Sequence, residues 1–139
     1  MSAKIIEKLT KSIDKDIKRL EVSFAPALTG AVAVGFFTSK SSEVLPIIAK
    51  CITAKNAIPP APGGLIKRSQ FNFIEKKLKG FGTEDFPVLE THLTTFLTAP
   101  EPTTRAGALS QIAAKIPGIL ADYILMKLEL KKVKKALRV

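Results

Sequence analysis

The sequence predicts an all-α protein. It reads as one domain over residues 1–139, a bundle of five to six helices with an apolar helix near the N-terminus and a Pro/Gly hinge around residues 59–64. Three observations predict this. Apolar side chains recur every three to four residues in several long stretches, the period of a helix with one buried face. No stretch long enough for a strand alternates with period two. Gly, Pro and hydroxyl residues of the kind that cap or stop helices separate the apolar stripes.

The first helix covers residues 3–21. Ile5, Ile6, Leu9, Ile13, Ile17 and Leu20 share a face, and Ser2 stands where a cap is needed. The other face carries Lys4, Lys8, Lys11, Lys15, Lys18 and Arg19, diluted by four acids. Pro26 allows a second helix to start near Ala25. Its small residues Ala27, Gly30, Ala31 and Gly35 permit close approach of a neighbouring backbone, and its apolar character nearly all round predicts burial by other elements or by another subunit. Ser39-Lys40-Ser41-Ser42 reads as a loop and cap. Glu43 and Pro46 then suit the first turn of a third helix that lines one side with Leu45, Ile48, Cys51 and Ile52 and ends near Asn56.

Ile58-Pro59-Pro60-Ala61-Pro62-Gly63-Gly64 is the clearest break in the chain, because proline pairs cannot continue a helix and Gly-Gly adds a turn. Each flank is too small to fold comfortably alone, so the break is a loop or hinge inside one domain. Residues 65–79 form the next helix, with Leu65, Ile66, Phe73, Ile74 and Leu78 inside. Gly80 is the expected stop, and Thr83 the expected cap of a helix with the stripe Phe86, Leu89, Leu93, Phe96 and Leu97. Ala99-Pro100-Glu101-Pro102 ends that stripe, and Thr103 or Thr104 caps a helix through Lys115. Pro117-Gly118 interrupts it, and a final helix turns Leu120, Ile124, Leu128 and Leu130 towards the core.

Composition excludes several functional classes. One Cys allows no disulfide within the chain, and one His with one Cys cannot assemble the usual four-ligand zinc site. The apolar fraction of 46% is too high for a disordered basic tail. Lys and Arg number 22 against 12 Asp and Glu, a formal charge of +10, and the excess is uneven. Residues 40–79 and 127–139 are strongly basic, whereas residues 80–104 hold four acids and no Lys or Arg. Such asymmetry favours polar contacts between copies or a basic face towards a polyanion.

Motifs with chemical content are few. Gly30 and Gly35 have the spacing of a phosphate loop, but Phe36 and Phe37 stand where Lys and Ser/Thr would reach phosphate and metal. Lys79-Gly80-Phe81-Gly82-Thr83-Glu84-Asp85, with Asp122 downstream, resembles the calcium loop of an annexin repeat; a helix stop followed by a capped helix accounts for the same residues. His92 sits beside an apolar stripe, with no partner pattern for a general base. Cys51 reads as a small core residue. No nucleophile, metal cluster or phosphate cradle is recognisable, so the sequence points away from an enzyme and implies no cofactor or small-molecule substrate.

The uncharged run Val22–Ser39 is borderline in length for a bilayer span, which needs about 20 mostly apolar residues. It does not read as a secretory signal, since a charged helix precedes it. Glu7, Asp14, Asp16 and Glu21 break the acid-poor rule of transit peptides. What remains is a small, helical, chemically bare chain with an almost fully apolar helix, basic surfaces and a hinge. In helix content, apolar N-terminal half and Lys/Ile-rich composition, this layout resembles the small helical major capsid proteins of tailed spindle-shaped and rod-shaped viruses of thermophilic archaea. That resemblance implies a virion protein whose subunits stack through apolar contacts into a tube or shell around DNA. The expected assembly residues are Phe24, Leu28, Val32, Val34, Phe36 and Phe37. The expected polyanion contacts are Lys131, Lys132, Lys134, Lys135 and Arg138. Two alternatives stay open: a membrane-associated accessory subunit that inserts residues 22–39, and a non-specific DNA-binding protein.

Overall fold

A computed structural model describes residues 2–29, 32–58 and 66–137. The expected hinge at 59–64 lies outside them, as do Gly30, Ala31 and Arg138. Five α-helices follow in order: α1 (Ser2–Phe24), α2 (Phe36–Ala57), α3 (Arg68–Gly80), α4 (Phe86–Thr98) and α5 (Pro102–Leu137). A 3-10 turn (Ala25–Thr29) follows α1, and a π turn (Phe81–Asp85) joins α3 to α4. Gly80, Phe81, Asp85 and Phe86 all keep right-handed helical dihedrals, so α3, the π turn and α4 run as one rod. The fold is therefore four helical rods rather than five or six helices, with no strand among the described residues.

Ion pairs fix how neighbouring rods run. Lys127 pairs with Glu21 at 2.6 Å and Lys134 with Asp14, so α5 is antiparallel to α1. Lys40 bonds Ser23 and Lys50 pairs with Asp16, so α2 is antiparallel to α1; Lys55 pairs with Glu75 at 2.8 Å while Gly82 lies against Val44, so the α3–α4 rod is antiparallel to α2. Lys115 meets Asp85 at 3.1 Å, which places the last helix back along the α3–α4 rod. Each rod turns one periodic stripe inward: Ile6, Ile13, Ile17, Leu20 and Phe24 on α1, and Ile119, Tyr123, Met126, Leu130 and Val133 on α5. Burying side chains of this size stabilises by about 1.5–3 kcal/mol each.

The apolar helix expected near the N-terminus is not present among the described residues. The chain leaves α1 through the 3-10 turn, and α2 begins only at Phe36. Gly35 adopts φ +93°, a left-handed conformation that suits glycine and cannot continue a right-handed helix. The Glu90 carboxylate on α4 then accepts the backbone N–H of Gly35 at 2.9 Å, of Phe37 at 3.0 Å and of Thr38 at 3.2 Å. A carboxylate there satisfies orphan donors and complements the positive helix end. Ser39-Lys40-Ser41-Ser42, read as a loop, is thus helical, and Pro46 sits inside α2.

Pro117 likewise lies within α5 and does not divide it. Both prolines, and the residues four positions earlier whose carbonyls they leave unbonded (Ser42 and Ala113), face solvent. Water can take up the freed carbonyl, so the penalty that makes proline a helix breaker is reduced at both places. Inward faces also differ from expectation: Ile5 on α1 and Leu97 on α4 are exposed. In α2 the buried set is Phe37, Lys40, Val44, Ile47, Cys51 and Ala54, leaving Leu45 and Ile52 outside. In α5 Leu130 is buried as expected, but Ile124 and Leu128 are half exposed.

Gly80 does not stop a helix, and Thr83 does not cap one. Its hydroxyl donates back to the Lys79 carbonyl at 2.7 Å, as expected of a threonine in mid-helix. Phe86 donates its N–H to the Phe81 carbonyl, an i+5 bond that widens the rod by one residue. The widening lets both rings point inward, stacked with centroids 5.3 Å apart. Gly82 lies within this turn against α2: a Cβ there would stand 3.0 Å from Val44 Cγ2, whereas a Cβ at Gly80 meets nothing within 4 Å. Gly80→Ala is therefore expected to stabilise the fold by about 0.5–1 kcal/mol through helix propensity alone. Gly82→Leu is expected to destabilise it by about 1–3 kcal/mol through overpacking. Urea unfolding midpoints test the pair; a loss of stability at Gly80→Ala would restore the reading of Gly80 as a helix stop.

Candidate interaction surfaces

The assembly residues expected from sequence divide sharply. Phe24 and Phe37 are completely buried in the chain's own core, where Phe24 meets Phe37 at 6.0 Å and Phe86 at 5.9 Å between ring centroids. They close the chain's own interior. Val32 and Phe36 are half buried against the same core, and Phe36 lies beneath the Lys40 ammonium at 5.1 Å. Val34 is exposed. The Leu28 side chain lies outside the described residues. Among the described residues of 22–39 no helix is long enough to cross a bilayer; the one helix in the described chain with that length and composition is α5.

α5 carries the exposed apolar surface that sequence reading placed elsewhere. At 3.6 residues per turn, Gly107, Ser110, Ala114, Ala121, Ile124 and Leu128 fall on one outward face, all exposed. Lys115, Asp122 and Lys127, the charged residues from 106 to 128, point away from it; each reaches an opposite charge on another rod. The uncharged face is about 33 Å long at 1.5 Å per residue. It was missed because the apolar residues of α5 outnumber those that one buried face can use, and periodicity alone does not say which become inner.

Charge is polarised along the bundle. The half where α1 and α3 begin and α2 and α5 end comprises residues 2–19, 44–58, 66–79 and 126–137. It carries 18 Lys and Arg against 5 Asp and Glu. Every one of those five carboxylates is already paired: Glu7 with Lys11, Asp14 with Lys18 and Lys134, Asp16 with Arg19 and Lys50, Glu75 with Lys55 and Lys79, and Glu129 with Lys132. The positive surplus is reduced only where Lys127 and Lys77 reach Glu21 and Asp122 of the other half. The other described half is acidic on balance, with 7 Asp and Glu against 3 Lys and Arg.

Among the expected polyanion contacts, Lys131, Lys132 and Lys135 are exposed, while Lys134 is committed to Asp14. Lys131 and Lys135 have no carboxylate within ion-pair distance among the described residues. Together with Lys132 they border a cleft between α3 and α5 whose other walls are Phe73, Leu125, Leu128 and Glu129. The Lys77 ammonium lies 5.5 Å above the Phe73 ring.

The remaining chemical candidates have structural roles. Burial, reinforced by Glu75, pushes the Cys51 thiol up to about 12, which leaves it protonated and unreactive at neutral pH. Burial also raises the Tyr123 hydroxyl above its usual range. Asp122, a possible calcium ligand in sequence, pairs with Lys77 at 3.1 Å, and residues 81–85 are helical rather than an open loop. No cluster of three His, Cys, Asp or Glu stands close enough to hold a metal among the described residues.

Burial alone would raise the Asp14 and Glu75 carboxyls, but the lysines bonded to each outweigh it and hold both below the usual range. Their folded-state values lie below those of the unfolded chain, so the stabilisation is complete above about pH 4.5 and is lost as pH falls through the depressed values. Asp14→Asn is expected to cost about 1–2 kcal/mol at pH 7. It should also flatten the decline of stability below pH 4.5, read by thermal unfolding across pH; an unchanged acid limb would contradict the role of this pair.

Comparison of the chain with known protein families, curated proteins and solved structures gives no match.

Proposed function

We propose that this chain is a structural subunit that assembles with copies of itself into a tube or shell, as a viral coat protein of the virion does, with its basic half turned towards a polyanion. The outward face of α5 carries the proposal. A 139-residue chain with a well-filled core still leaves an uncharged strip about 33 Å long in water. An exposed strip of that length without charge, ending in the large apolar side chains of Ile124 and Leu128, is suited to a partner interface. Its small residues allow a second helix to approach closely, and the charges at its edges are neutralised within the chain. The reading asks no catalysis of the chain: its Cys is inert, and its charges serve packing and surface contact.

Ala121→Asp and Ile124→Asp test the face, because both positions are exposed and a charge there leaves the core untouched. Negative-stain electron microscopy and sedimentation of detergent-free protein should show tubes, sheets or shells for the native chain. Either variant should give dispersed particles with unchanged helix content. Assembly that survives both changes would exclude this face. A native protein that stays soluble only in detergent would instead assign α5, which is long and apolar enough to cross a bilayer, to lipid acyl chains.

A further inference from the structure

The basic half of the molecule offers more than charge. Phosphates of a nucleic acid require only positive groups at suitable spacing, and an apolar neighbour adds nothing to that contact. In the cleft between α3 and α5 the positive groups surround exposed apolar side chains. Leu125 and Leu128 are 44% and 50% exposed, and they flank Phe73 beneath a rim of Lys131, Lys132 and Lys135. Phe73 is partly buried against the core, but the two leucines keep about half their surface in water, although the core a turn away is closed. The one acid in the cleft, Glu129, is paired with Lys132 at 3.6 Å, so an incoming anion meets little repulsion.

Helix periodicity explains why the two chemistries sit together. Leu128, Lys131, Lys132 and Lys135 stand three and four residues apart and share one side of α5. Leu125 and Leu128 occupy the turns just before the lysines, so the surface changes from apolar to cationic within about two turns. Lysine stems lie along apolar surface while their ammonium groups reach outward. An apolar floor bordered by lysines matches the boundary between anionic headgroups and acyl chains.

From this geometry we infer that the polyanion contacted by the basic half is an anionic lipid surface, with the α3–α5 cleft as the docking site. The inference takes the polyanion of the proposed function and assigns it to lipid; it does not depend on self-assembly. Leu125, Leu128 and Phe73 enter the headgroup boundary, and Lys131, Lys132 and Lys135 hold lipid phosphates. Charge complementarity supplies the attraction, and the apolar floor selects lipid over duplex DNA.

Flotation with vesicles tests this, using phosphatidylcholine alone and phosphatidylcholine mixed with phosphatidylglycerol, beside duplex DNA binding at matched salt. The native chain should float with the anionic vesicles and remain behind with the neutral ones. Lys131→Ala with Lys135→Ala, and separately Leu125→Ser with Leu128→Ser, should each weaken vesicle partitioning about tenfold or more. Only the lysine pair should weaken DNA binding. All four positions are exposed, and circular dichroism of each variant verifies the fold. Failure of the native chain to float with anionic vesicles would overturn the inference, as would full partitioning by the leucine variant. Electron microscopy without lipid reports self-assembly separately; because Leu128 borders both surfaces, flotation is repeated with Ala121→Asp, and failure of that dispersed variant to float would refute the lipid assignment alone.

Discussion

The fold depends on where Phe24 is buried. Its ring is fully enclosed at the end of α1 and touches Phe36 and Phe37 from α2, Phe86 from α4 and Tyr123 from α5, with centroids 5.9–6.4 Å apart. One side chain thus ties together all four rods. Aromatic rings bring a large apolar area with few rotatable bonds, so such a knot stabilises at low entropic cost. The rest of the backbone arranges itself around it. The chain turns after α1 so that Phe36 and Phe37 can return to the same point, and the rod 68–98 widens by a π turn so that Phe81 and Phe86 both face it.

Glu90 makes that return possible. It gathers three N–H groups at the start of α2 across more than fifty residues of sequence. A glycine with a left-handed backbone and a distant carboxylate together replace the local cap that the sequence lacks. Because Phe24 and Phe37 are enclosed and Phe36 is half buried against them, most of the exposed apolar surface falls to α5. The proposed assembly face and the proposed lipid cleft both lie on that helix, and its 36 residues carry them from the acidic half to the basic half.

The sequence conveyed different features with different clarity. Helix content and most of the inward stripe of α1 were legible, because a strong amphipathic pattern has one side to bury; Ile5, in its first turns, stays exposed. The basic excess was legible too, and so was its clustering. The internal punctuation was not. Pro46 carries a local signal for a helix start, and Gly80 and Pro117 for a stop and an interruption, yet each lies inside a helical rod. A proline facing solvent loses one hydrogen bond that water can replace, and a glycine in mid-helix costs only about 1 kcal/mol. Packing of the flanking turns exceeds penalties of that size.

By itself the sequence determined an all-helical chain with one Cys, one His and a large positive surplus, because composition and apolar period do not depend on partners far along the chain. Only the tertiary structure decided which apolar residues are inside. Phe24 and Phe37 went to the core, while Ile124, Leu125 and Leu128 remained in water. The reason is geometric. A helix with apolar residues on more than one side can bury only the side that its neighbours cover, and those neighbours are placed by contacts such as Glu90 with α2 and Lys134 with Asp14, more than fifty and more than a hundred residues apart.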